Sequence, residues 1–146
     1  MNGATGAATE IIPVVFDGHS GSLHRPSTRT GNGAAVIICA PAGRDARWTY
    51  HALFHWAEQL ACEGYLVLRY DLLGEGDSLG LDDAADQWAA WVKGVRQAAD
   101  FVRTQTGVSQ LFVCGLRIGA TLACVAAEDV KPDGLILWDP LPSGKA

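Results

Sequence analysis

Long apolar runs are missing from this 146-residue chain: none approaches the roughly 18 residues that a membrane-spanning helix needs. The first ten residues also lack a basic segment followed by an apolar core, so no secretion signal is read there and a cytoplasmic location is expected. Basic charge is in deficit as well. Eleven Lys and Arg stand against sixteen Asp and Glu, a net charge of −5, which excludes nucleic acid and anionic membrane as expected partners. Paired cysteines are absent too. Cys39, Cys62, Cys114 and Cys124 sit singly in apolar surroundings, with no Cys-x-x-Cys or Cys/His spacing, so they read as buried free thiols and no metal or cofactor is expected. His51 and His55 are four apart on one helical face, but without a third ligand they read as a solvated or partly buried pair. His19 and His24 receive no role from the sequence.

What is present describes one globular domain. Apolar residues make up 49% of the chain and charged residues 18%, enough for a sizeable core over residues 11–146 behind a loose N-terminus at 1–10. Five tryptophans predict a well-packed interior. Ile11 to Phe16 and the segment around Leu23 read as two early strands, and 27–33 as a loop. Ala34 to Cys39 is an unbroken apolar run, the pattern of a strand covered on both faces. Leu53, Trp56, Ala57, Leu60 and Ala61 recur at helical spacing within 48–63, and Gly64 stops that helix. A strand at 65–70, a helix over 82–106 closed by Gly107, a strand ending at Cys114, a helix over 118–127 and a strand at 134–138 complete the alternation. That order predicts an α/β fold: a mostly parallel sheet with helices on both faces.

One stretch organises the rest. Leu111-Phe112-Val113-Cys114 runs into Gly115-Leu116-Arg117-Ile118-Gly119, the layout of a nucleophile elbow between a buried strand and a helix. Glycines flank the central position because side chains there would collide with neighbouring chain. The central residue is Arg117, whose guanidinium stays protonated and cannot attack an acyl carbon. The backbone donors of an oxyanion hole, Ile118 with Ala42 or Gly43, do not depend on the missing serine. Two readings of Arg117 follow: an anion-binding residue beside those donors, or a structural arginine paired with a carboxylate. Asp139, first after the next strand, is the expected partner, with Glu75 and Asp45 as alternatives. Asp71 reads as the cap of its own turn. Cys114, the nearest thiol, is expected to point into the core.

The strand 34–39 with Pro41-Ala42-Gly43, the run Asp71-Leu72-Leu73-Gly74-Glu75-Gly76-Asp77-Ser78 and the elbow together resemble the alpha/beta-hydrolase superfamily. More narrowly, Gly115-Leu116-Arg117-Ile118-Gly119-Ala120, Leu137-Trp138-Asp139-Pro140 and Ser143-Gly144-Lys145 resemble hydrolase-like proteins associated with bacterial exosortase and exopolysaccharide systems, some of which also carry arginine in the elbow. The resemblance implies the N-terminal part of the hydrolase fold, with the last strands, any cap, and the triad acid and histidine lying beyond this sequence. It leaves open whether the chain is an enzyme. The expected function is a non-catalytic or impaired binding or accessory module for a small acyl or anionic ligand. The alternatives are an ester or thioester hydrolase completed by missing segments or a partner chain, and a half-domain that must pair. The all-apolar strand 134–138 predicts self-association or a partner chain along its edge.

Overall fold

The computed structural model describes residues 9–26, 31–80 and 84–142. Its elements are β1 (Thr9–Phe16), β2 (His19–Pro26), β3 (Ala34–Cys39), α1 (Gly43–Cys62), β4 (Leu66–Tyr70), a 3₁₀ turn (Ala84–Asp86), α2 (Gln87–Arg103), β5 (Gln110–Leu116), α3 (Ile118–Val130) and β6 (Gly134–Trp138). They build one six-stranded sheet in the order β1-β2-β4-β3-β5-β6. β1, β2 and β4 pair antiparallel, while β4, β3, β5 and β6 run parallel.

The continuous apolar run of β3 is explained by its place in the middle of the sheet. Ala35, Ile37 and Cys39 face one side, where α2 and α3 bring Val95, Ala98, Val102, Leu122 and Ala126. Val36 and Ile38 face the other, under Ala57, Leu53, Trp56 and Leu60 of α1. All six β3 residues are buried. Each large one contributes roughly 1.5–3 kcal/mol by leaving water.

Element ends differ from the expected ones for local reasons. α1 starts at Gly43, ahead of the first periodic apolar residue, because Glu75 supplies a cap from outside the helix: its carboxylate accepts the Gly43 amide at 3.1 Å. α2 is shorter than residues 82–106. The amides of Thr104 and Gln105 turn back to Phe101 and Val102, which ends the helix before Gly107, and residues 81–83 lie outside those described. α3 runs on to Val130, where Lys131 adopts a left-handed conformation (φ 50°) and Arg103 donates to the Val130 carbonyl at 2.7 Å.

Two compositional expectations are corrected. Of the five tryptophans only Trp91 is buried, its indole N–H donating to the Leu73 carbonyl at 2.9 Å. Trp48, Trp88 and Trp138 lie on outward faces of α1, α2 and β6 and are 82%, 44% and 69% exposed, so they do not build the interior. The thiols divide likewise: Cys39 and Cys114 are buried, Cys62 is half-buried and Cys124 is exposed on α3. No disulfide joins them.

Candidate functional site

The turn from β5 into α3 has the backbone of a nucleophile elbow. Arg117 sits at φ 57°, ψ −122°, a conformation that costs a non-glycine residue of order 1–3 kcal/mol. The surroundings impose it. The Arg117 amide donates to the Trp138 carbonyl at 3.0 Å, and the Arg117 carbonyl accepts from Ala120 at 3.0 Å and Thr121 at 3.3 Å. Gly119 lies so close to β3 that a Cβ would run into the carbonyl oxygens of Cys39 and Ala40. At Gly115 a Cβ would run into the backbone of Gly119 and Ala120.

The guanidinium of Arg117 is held at the carboxyl ends of the parallel strands. Its Nη1 donates to Asp139 at 2.7 Å and its Nε to Asp45 at 3.4 Å. Asp139 foremost, then Asp45, pushes the Arg117 pKa above its ordinary value, so the group stays a cation. The side chains are 39%, 63% and 53% exposed for Arg117, Asp139 and Asp45, so solvent reaches the cluster. Nη2 has no partner among the described residues. Asp139 itself is left-handed (φ 49°), and Thr121 Oγ1 fastens the segment after it by donating to the Leu141 carbonyl at 2.9 Å and accepting the Leu141 amide at 3.0 Å.

The remaining expected donors and acids divide. The Ile118 amide opens α3, where the helix offers its first N–H groups no internal acceptor. The Gly43 amide is occupied by Glu75, and Glu75 makes no pair with Arg117. Ala42 precedes α1 in extended backbone. Cys114 is buried beneath α1, and burial lifts its pKa to about 11, which makes the thiol a poor nucleophile near neutral pH.

The Asp71–Ser78 run braces itself. The Asp71 carboxylate accepts the Asp77 amide at 3.1 Å, Ser78 Oγ donates to the Asp71 carbonyl at 2.6 Å, and that same Oγ accepts the Ser20 amide at 2.9 Å. Gly76, at φ 50°, lies where a Cβ would enter the Asp71 carboxylate.

A second polar cluster gives no local sequence signal. His24, fully buried on β2, is linked through Nδ1 to Glu58 at 2.6 Å, and its Nε2 accepts from Arg69 Nε at 2.9 Å. Thr9 closes the chain by donating to Glu58 at 2.6 Å. Burial holds the His24 pKa below its usual value. For Glu58 the partial burial acts upward, but the hydrogen bonds from His24 and Thr9 prevail and the carboxyl lies below its ordinary range. His19 is equally buried on the opposite face, against Phe16 and Tyr70, with Nδ1 at 3.0 Å from the Asp71 carbonyl. The period of two along β2 sends these histidines to opposite sides, but nothing in the sequence identifies Glu58 or Arg69 as neighbours of His24.

With this geometry in place, the kinship of the chain is clear. The family model described as Hydrolase_4, serine aminopeptidase S33, matches residues 31–145. The chain belongs to that family of alpha/beta hydrolases. Among solved structures it is similar to an α/β serine hydrolase without lid from Xanthomonas campestris, at 23% identity and a TM-score of 0.74, covering 95% of this chain and 65% of that one. It is also similar to Est1E from Butyrivibrio proteoclasticus, solved with ferulic acid bound, at 20% identity and a TM-score of 0.67, covering 88% of this chain and 52% of that one. An esterase from Pyrococcus furiosus matches at 17% identity and a TM-score of 0.68, covering 91% and 51%. This chain therefore spans between about half and two-thirds of the length of these three structures. No curated protein matches the sequence.

Proposed function

We propose that this chain is a hydrolase-fold binding or accessory module in which the elbow carries an anion-binding arginine instead of a nucleophile. The supporting observation is Arg117 at φ 57°, ψ −122°, with its cation braced by Asp139 and Asp45 and Nη2 unpartnered among the described residues. A serine at such a turn presents its hydroxyl to the substrate, whereas this arginine presents N–H donors and positive charge beside the Ile118 amide. The ligand is a small acyl or anionic one. The same motifs that resemble exosortase-associated proteins, Gly115 to Ala120 and Leu137 to Pro140, support a role alongside bacterial exopolysaccharide or protein-sorting systems. The test is an NMR titration with butyrate that follows the Arg117 Nε–H resonance. Butyrate shifts that resonance; a resonance that stays put at saturating butyrate overturns the reading.

The partner reading rests on β6. Leu135, Ile136, Leu137 and Trp138 are 38%, 51%, 37% and 69% exposed, an apolar strand with one unpaired edge among the described residues. A second copy, or a further chain segment that continues the sheet, covers it.

A hydrolase completed by residues outside this chain is the second reading. It is favoured by the intact elbow backbone and the Ile118 donor, and it requires a nucleophile other than residue 117.

A further inference from the structure

A cleft of about 680 Å³ opens between α1 and the β2–β4 part of the sheet, lined by Ser22, Arg47, Tyr50, His51 and Arg69 and closed at its floor by Ile38. Arg117 is not among its lining residues. Arg69 is the fixed point of this cleft. Its Nε–H is committed to His24, and its guanidinium carbon lies 5.0 Å from the Phe54 ring centroid and 5.4 Å from that of Tyr50. Two rings and one hydrogen bond thus hold the plane of the guanidinium, while neither Nη has a hydrogen-bond partner among the described residues. An arginine held this way loses little freedom when its two free amino groups receive an oxyanion end-on. Arg47, exposed on α1 and in no ion pair among the described residues, supplies a second positive charge to the same cleft.

The lining also contains carboxylates, and they narrow the ligand. Asp71 and Glu75 already accept the Asp77 and Gly43 amides, and the Asp77 carboxylate accepts none among the described residues. A ligand with several negative charges would be repelled by these three groups. A single carboxylate would meet the Arg69 fork with the least of that cost, with its apolar body against Ile38, Leu53 and Leu72.

We infer that this cleft is a binding site for a small organic monocarboxylate, seated on Arg69 and assisted by Arg47. It is independent of the elbow reading, since none of Arg117, its partners Asp45 and Asp139, and Ile118 lines the cleft.

The test is an NMR titration of the full chain with benzoate, following the arginine Nε–H resonances, with inorganic phosphate as the polyanionic comparison. Benzoate should shift the Arg69 resonance, and phosphate should bind at least about tenfold more weakly. Arg69→Lys, which keeps the charge but loses the fork, should weaken benzoate about tenfold, as should the surface variant Arg47→Ala, which leaves the His24 network untouched. Arg96→Ala, on the far side of the sheet, should bind as wild type. A shift at Arg117 without one at Arg69 would overturn this site and leave the elbow reading standing. No shift at Arg69, equal binding of phosphate, or full affinity in Arg47→Ala and Arg69→Lys together would each overturn it.

Discussion

Arg117 and Asp139 meet across the carboxyl ends of β5 and β6 with 2.7 Å between Nη1 and Oδ2, and both residues hold positive φ, 57° and 49°. Two non-glycine residues in that region at adjacent strand ends are imposed by the sheet register, which pairs Leu116 with Trp138 immediately before them. Asparagine and aspartate tolerate left-handed backbone better than alanine does.

The pair itself is solvent-exposed, so its loss should matter less to stability than the backbone conformation that frames it. Asp139→Gly is expected to be more stable than Asp139→Ala by about 1 kcal/mol, although both remove the carboxylate. Urea denaturation of the two variants measures this. Equal stability, or a more stable alanine variant, would contradict the backbone assignment.

Acid should weaken the fold through β2 and α1. The folded pKa of His24 lies below its ordinary 6.5, so its contribution is present above that pH and is lost as pH falls. The folded pKa of Glu58 lies below its ordinary 4.5, and its contribution too is lost as pH falls, in a lower range. Both act in one direction. The urea midpoint should therefore drop between pH 8 and pH 5, with a smaller drop in His24→Gln. A midpoint that rises on acidification would refute this assignment.

The close approach of α3 to β3 should be intolerant of one methyl group. Gly119→Ala is expected to cost at least about 2–3 kcal/mol, because the clash is with the fixed carbonyls of Cys39 and Ala40 rather than with a flexible side chain. Gly43→Ala, where a Cβ would meet nothing within 4 Å but φ is 61°, should cost about 1 kcal/mol. Thermal unfolding of the two variants ranks them, and the reverse order would contradict the elbow packing.

The uncovered strand β6 should drive association. Light scattering at micromolar concentration should show the chain self-associating, and Ile136→Lys should reduce it by charging the exposed strand. A wild type that stays monomeric at all concentrations, in the absence of a covering partner, would remove the β6 proposal.

Much of this architecture is legible in the sequence because each signal is local. The apolar run Ala34–Cys39, the stop at Gly64 and the strand Gly134–Trp138 need only neighbouring residues to be read. The elbow is legible for the same reason, since Gly115 and Gly119 answer to contacts made within one turn and one adjacent strand. What the sequence hides is long-range. Glu75 capping α1, His24 meeting Glu58 and Arg69, and Thr9 reaching Glu58 join segments between 32 and 49 positions apart. The tryptophans mislead because an indole reads as core whether or not an adjacent layer covers it, and Trp48 and Trp138 face outward here.

The central claim, that residue 117 holds a permanent cation where a hydrolase holds its nucleophile, is tested most directly by intact-mass spectrometry after incubation with a fluorophosphonate. The wild-type chain should keep its unmodified mass, and Arg117→Ser should keep it as well, because a serine without an adjacent base remains a weak nucleophile. Stoichiometric phosphonylation of wild type, mapped to any single serine, would contradict the account.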